Sequence, residues 1–185
     1  MDIQVNDSLS MELLRADHAE ELFALTDTNR QYLREFLPWL DLTRSLADTK
    51  AFIQSTIDQY PPGQGPQFAL KYQGALCGLN GFDKINLFHK TGALGYWLGS
   101  AFAGKGIITE SSKALLKLGY EEYGLNKIEI HCSEENKKSC AIAERLGFVY
   151  EATLRDCEWL YTRYVSNAIY SMLAAEYFLV HKKTF

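Results

Sequence analysis

The sequence predicts a mixed α/β (α+β) fold: a central sheet with an antiparallel meander, one parallel crossover and a closing strand pair. Three observations predict it. First, residues 94–132 run from an apolar strand through a glycine turn and an amphipathic segment to a second, alternating strand. That order is a βαβ crossover, with parallel strands and a right-handed connection. Second, the strand-type runs Phe68 to Tyr72, Ala75 to Phe82 and about Lys90 to Leu98 follow one another too closely for crossovers, so they form a meander. Third, Phe148 to Trp159 and Arg163 to Met172 alternate as a final strand pair.

Taken in order, Leu9, Met11 and Leu13 on alternate positions open a strand over 9–15. Ala16-Asp17-His18 starts a helix, with Asp17 as N-cap, Glu20 completing a capping box, and Leu22, Phe23 and Leu25 as the apolar face. Asn29 to Trp39 is unusually aromatic for a connection, and Pro38 ends a short helix at Leu37. This segment is either core packing or one wall of a substrate groove. Ser45-Leu46-Ala47-Asp48 begins a helix whose apolar positions Phe52, Ile53 and Ile57 run on to Tyr60. Pro61-Pro62-Gly63-Gln64-Gly65-Pro66 stops it in a loop. Gln73-Gly74 turns the meander, and Asn86 to Lys90 is a polar connection. After the crossover, a helix spans about Lys137 to Leu146 with Gly147 as its C-cap, and the tail Ala174 to Val180 is apolar enough to pack.

Composition narrows the function. At 185 residues the chain reads as one domain over 1–185, with a core over about 9–180. A net charge of −4 advertises no surface for a polyanion, which disfavours nucleic acid as a partner. Cys77, Cys132, Cys140 and Cys157 form no Cys-x-x-Cys pair, and His18, His89, His131 and His181 are equally scattered, so no metal is expected. Buried, reduced thiols are the expected state, and they point to the cytosol. The first residues lack a basic region followed by an apolar one, and no apolar run is long enough to span a bilayer.

The stretch Gly95 to Ser112 carries the chemistry. After Leu94, Tyr96, Trp97 and Leu98 comes Gly104-Lys105-Gly106, then a helix that places Ile107, Ser111, Ala114, Leu115 and Leu118 on one face, with Glu110, Lys113 and Lys117 on another. The first amides of a helix have no intrahelical acceptor and carry the positive end of the peptide dipoles. Glycines 104 and 106 remove the side chains that would keep an anion off that backbone. Residues 103–109 therefore form either a phosphate or pyrophosphate cradle or an ordinary glycine turn.

The order of elements resembles the GNAT acetyltransferase superfamily. Its pyrophosphate loop, Gln/Arg-x-x-Gly-x-Gly/Ala, is matched by Ala103-Gly104-Lys105-Gly106-Ile107-Ile108, with Ala103 and Ile108 departing from the first and last motif positions. Gly95-Tyr96-Trp97-Leu98, Asn136-Lys137-Lys138-Ser139, Arg145-Leu146-Gly147-Phe148 and the aromatic segment Asn29 to Trp39 resemble its RimJ/RimL type, across nearly the whole chain. The resemblance implies helices on both faces of the sheet and an acyltransferase that uses acetyl-CoA without a metal. It implies an acceptor that is a protein N-terminal α-amine, such as that of a ribosomal protein, and possible pairing as a homodimer.

The resemblance also implies roles for residues. Trp97, Leu98 and Gly99 would bond the pantetheine arm. Ala103, Gly104, Lys105, Gly106, Ile107, Ile108 and Thr109 would hold the diphosphate, and Asn136 and Ser139 would contact coenzyme A. The Leu98 amide would stabilise the oxyanion, Glu158 would be the base and Ser139 the acid towards the sulfur, while Tyr32, Leu37, Trp39 and Glu158 would line the acceptor site. Against these stand simpler readings: Asn136 and Ser139 as a helix cap, and Glu158 as a solvated strand carboxylate. Leu160-Tyr161-Thr162-Arg163 lacks the glycine that often closes the corresponding hairpin. Acetylation of a small amine and a non-catalytic acyl-CoA-binding module remain as alternatives. A dinucleotide oxidoreductase is disfavoured, because Gly104-x-Gly106 has no third glycine at the required spacing.

Overall fold

A computed structural model of the chain describes residues 1–60 and 65–181. Its frame is one sheet of eight strands: β1 (Asp2–Asn6), β2 (Leu9–Leu13), β3 (Gln67–Tyr72), β4 (Ala75–Asn86), β5 (Thr91–Leu98), β6 (Lys127–Ser133), β7 (Val149–Leu160) and β8 (Arg163–Leu173). Their spatial order is β1-β2-β3-β4-β5-β6-β8-β7. Every neighbouring pair is antiparallel except β5 and β6, so the meander, the crossover and the final pair are all present.

The helices are α1 (Ala19–Thr28), α2 (Arg30–Leu33), α3 (Leu46–Gln59), α4 (Ile107–Lys117), α5 (Lys137–Arg145) and α6 (Ala174–His181). Alternation along the strands divides the core in two. Phe68, Phe82, Leu94, Ile128 and Ile130 pack with Ile107 and Leu115 of α4, Ala143 of α5 and Tyr177 of α6. On the opposite face Ala69, Leu76, Leu79 and Trp97 meet Leu22 of α1 and Ile53 of α3. Helices thus cover both faces of the sheet, as the resemblance implied.

Several expectations are corrected. β1 was not anticipated from the sequence: only Ile3 and Val5 pack inward, half-buried, from an edge strand flanked by Asp2 and Asn6. Asp17 caps no helix. A short 3₁₀ turn, Ala16–His18, intervenes, and the buried His18 imidazole takes the capping role by accepting the Arg15 amide at Nδ1, 3.1 Å away. Its other ring nitrogen lies 3.0 Å from Glu12 Oε2, which holds the Glu12 carboxyl below its usual range. Of the apolar positions expected on α3 only Ile53 is buried, while Phe52 and Ile57 are exposed. In the tail Tyr177 packs, yet Leu179 and Val180 are exposed. The loop residues Pro61–Gln64 lie outside the described residues.

The four thiols are free, but only three are buried; Cys157 is exposed on β7. Burial pushes the Cys77 thiol up to about 12 and raises that of Cys132 as well. Since the thiolate is the nucleophile, brief iodoacetamide treatment of the native protein at pH 8 should label Cys157 alone. Mass spectrometry of peptides checks this; rapid labelling of Cys132 in folded protein would contradict its burial.

Candidate active site

The parallel pair is short. β5 and β6 run together from Thr91 opposite Lys127 to Leu94 opposite Ile130, and there the pairing ends. β5 stays with β4 as far as Leu98 opposite Gly78, while β6 stays with β8 as far as Ser133 opposite Asn167. The two central strands therefore fork. The Gly99 amide donates to the Cys77 carbonyl at 2.9 Å, so by alternation Trp97 and Gly99 direct their backbone groups to β4. Tyr96 and Leu98 direct theirs into the fork, where β6 no longer stands opposite. Of the edge Trp97 to Gly99 singled out from the sequence, Leu98 supplies the exposed polar groups, and Tyr96 joins it.

At the open end of the fork the chain passes through a 3₁₀ turn, Ser100–Phe102, and the glycine loop into α4. Gly104 and Gly106 have φ of 77° and 76°, a left-handed backbone that glycine adopts without strain. A Cβ at either position would stand in open space, with no atom within 4 Å. Gly106 caps α4 without a side-chain hydrogen bond, leaving the first-turn amides of Ile107, Ile108 and Thr109 for an external acceptor. Positive charge gathers beside them. Lys105 Nζ lies 5.3 Å from the Tyr72 ring centroid and 5.5 Å from that of Phe102, and Arg145 Nη1 lies 3.3 Å from Thr109 Oγ1. Asn29 braces the approach to the loop, accepting from the Ser100 amide at 2.8 Å.

Side chains from both arms meet across the fork. Asn136 Oδ1 accepts the Ser139 amide at 3.2 Å, so Asn136 is the N-cap of α5. The Ser139 hydroxyl, nearly buried, lies 3.0 Å from the Tyr96 hydroxyl, whose own ionisation burial pushes well above the usual phenol range. Glu158 is half-buried, and its Oε2 accepts from Asn167 Nδ2 at 3.0 Å. A bulge positions it: β7 advances from Leu154 to Glu158 while β8 advances only from Asn167 to Val165, with Asp156 at φ 47°.

Glu158, Ser139, Asn136, Trp97, Leu37 and Trp39 line one groove of about 860 Å³. Trp39 and Trp97 pack with ring centroids 5.9 Å apart, so the aromatic segment forms a wall and also packs. Tyr32 is not in this groove. It lines a neighbouring cavity with Arg34, Glu35 and Arg163, and Lys138 Nζ sits 5.9 Å from its ring centroid.

The chain matches the acetyltransferase (GNAT) domain family over residues 8–149. It belongs to that family. The ribosomal-protein-serine acetyltransferase of Escherichia coli strain K12 is 28% identical over 171 residues, covering 92% of this chain and 96% of that one. A RimL ribosomal L7/L12 α-N-protein acetyltransferase in complex with coenzyme A superposes with a TM-score of 0.90 at 26% identity, covering 95% and 99% of the two chains. The microcin C7 self-immunity acetyltransferase MccE, in complex with acetyl-CoA and AMP, superposes at 0.87 with 31% identity, covering 92% and 95%. The protein is an acetyl-CoA-dependent N-acetyltransferase.

The fold of this acetyltransferase is suited to its cosubstrate: a bare amide cradle with clear space above both glycines leads into a strand edge with backbone groups to offer. Other features of the site were given no role from the sequence. Arg145 adds charge to the cradle from α5, and Asn167 orients Glu158 from β8. Tyr161 closes the glycine-free hairpin in the left-handed region, at φ 60°, a conformation costing roughly 1–2 kcal/mol for an L-residue. Its hydroxyl accepts the Leu40 amide at 3.2 Å and donates to the Leu37 carbonyl, and Arg34 stacks 3.7 Å from its ring centroid. That clasp joins residues 37–40, of which Leu37, Pro38 and Trp39 line the groove, to the hairpin.

Gly106→Trp should fill the space above the cradle, lowering acetyl-CoA affinity at least a hundredfold by calorimetry. Far-UV circular dichroism should remain that of the unsubstituted protein. Unchanged affinity would refute the cradle.

Proposed function

We propose that the protein acetylates the N-terminal α-amine of a protein, with a ribosomal protein as leading acceptor, by direct attack in a ternary complex in the cytosol. The observation that carries this reading is the continuity of cradle, fork and groove. The free first-turn amides Ile107 to Thr109, the unpaired edge at Tyr96 and Leu98, and the groove that Tyr96 shares with Glu158 would take in turn the diphosphate, the pantetheine arm and the amine. The relatives support the acceptor: one is named for ribosomal-protein serine, and a Salmonella typhimurium structure at TM-score 0.85 and 26% identity is described as modifying the N-terminal serine of L7/L12.

Acetyl-CoA supplies an activated acetyl thioester. Residues 103–109 with Arg145 would hold its diphosphate, and Tyr96 and Leu98 would bond its pantetheine arm. Orientation of two bound reactants can lower the barrier by up to about 7–11 kcal/mol. The Leu98 amide, fixed by the strand and pointing into the fork, is the oxyanion donor; a preorganised donor of this kind is worth about 2.7–4 kcal/mol. Glu158, held by Asn167, takes the amine proton, and Ser139, hydrogen-bonded to Tyr96, returns a proton to the departing sulfur. Leu37 and Trp39 wall the acceptor site, while Tyr32 borders the adjoining cavity and has its place along a longer acceptor. A small amine is the second reading, favoured by the likeness to MccE.

Glu158→Gln should lower turnover of a seryl peptide by about 10²–10⁴-fold, most at low pH where the amine is protonated, with acetyl-CoA affinity unchanged. Thiol release assayed from pH 6 to 9 checks this, and equal turnover throughout would reduce Glu158 to a groove wall. Activity confined to small amines across an acceptor panel would favour the second reading.

A further inference from the structure

Gly95 is the first residue of β5 beyond the last rung it shares with β6. A Cβ placed there would lie 2.0 Å from Oδ2 and 2.4 Å from Oδ1 of Asp83, so the missing side chain is what lets that carboxylate lie on the strand at the fork. A second feature brings Asp83 to this place. Phe82 pairs with Leu94 and Lys84 with Ala93, so Asp83 is the extra residue of a β-bulge, a device that re-aims a side chain. A third holds it there: Gln67 Nε2 donates to Oδ1 at 3.1 Å.

Asp83 lines the same groove as Glu158 and is exposed towards it, yet protein atoms crowd it enough to raise its carboxyl above the usual range. Among the described residues no Lys, Arg or His nitrogen lies within ion-pair distance of it. The neighbouring His131 ring is engaged 2.8 Å away by Glu129, and Lys84 on the groove rim is unpaired with it. On α3, Thr49 brings to the same groove a buried hydroxyl with no partner in the protein. The groove therefore contains a shaped anionic position, at the apex of the fork, that makes no ion pair within the described chain and has the His131 ring as its electrostatic neighbour.

We propose that Asp83 is an acceptor-binding residue that captures the acceptor's α-ammonium at the fork, making the site selective for a cationic amine. An α-amine arrives protonated near neutral pH, and its N–H groups match a carboxylate better than they match the aromatic walls. The role is recognition, with proton removal left to Glu158. It rests on the N-terminal acetyltransferase reading and adds the residue that reads the acceptor's charge.

The test uses two probes, a seryl hexapeptide with a free amine and the same peptide N-acetylated, titrated into the CoA-loaded protein at pH 7. The unsubstituted protein should bind the free-amine peptide more tightly. Asp83→Asn, which keeps the shape and an acceptor for Gln67, should weaken that peptide at least tenfold and leave the acetylated peptide and CoA unchanged. Gly95→Ala, which displaces the carboxylate without removing it, should reproduce the selective loss and covers the case in which Asp83→Asn does not fold. Equal weakening of both peptides would make Asp83 merely structural, and no change in either would make it idle; each overturns the proposal. If the unsubstituted protein binds CoA but neither peptide, the protein-acceptor reading itself fails and this inference falls with it.

Discussion

Beyond Leu94 and Ile130, each central strand keeps a different partner, and one sheet must serve two diverging edges. Because strand backbone groups alternate in direction, this parting leaves polar groups of Tyr96 and Leu98 facing a gap instead of a neighbour. A buried amide without a partner is costly, so such a gap suits a guest that can itself behave as a strand. The rest of the site is arranged around that constraint. The glycine loop and α4 stand at the open end with amides for an anion, and the groove lies at the fork with carboxylates for an amine.

The gap is kept in shape by contacts between segments far apart in sequence. Tyr96 reaches Ser139 across it, and Asn29 ties the end of α1 to Ser100 beside the loop. The groove wall at residues 37–39 is held by Tyr161, whose hydroxyl joins residues 37–40 to the β7–β8 hairpin; Arg30 supports the same segment through the Leu40 carbonyl at 3.0 Å. At two of the non-glycine residues with left-handed backbone, Asp156 and Tyr161, the strain serves placement: the bulge beside Asp156 aims Glu158, and the turn at Tyr161 presents the clasp.

What was legible in the sequence was local. The crossover and the Asn136 cap were found as read, and the glycine loop has the left-handed backbone that its two glycines allow. The aromatic segment 29–39 left two readings open, and Trp39 against Trp97 on the groove wall satisfies both. The failures were tertiary. Asp17 had the right spacing for a cap, but a buried imidazole at His18 took the amide instead. Phe52 and Ile57 fit a helical stripe that the sheet does not cover, and Cys157 alternates on a strand whose face is open. Asp83 gave no signal, because its position depends on a bulge, a glycine twelve residues later and a glutamine from another strand.

The central claim is that the fork receives acetyl-CoA along β5. Amide hydrogen exchange resolved to single residues, with and without saturating acetyl-CoA, addresses it most directly. The account predicts strong new protection at Tyr96 and Leu98 together with Ile107 to Thr109, and none at Trp97 and Gly99, which β4 already protects. Binding that leaves the Leu98 amide exchanging at its free rate would contradict it.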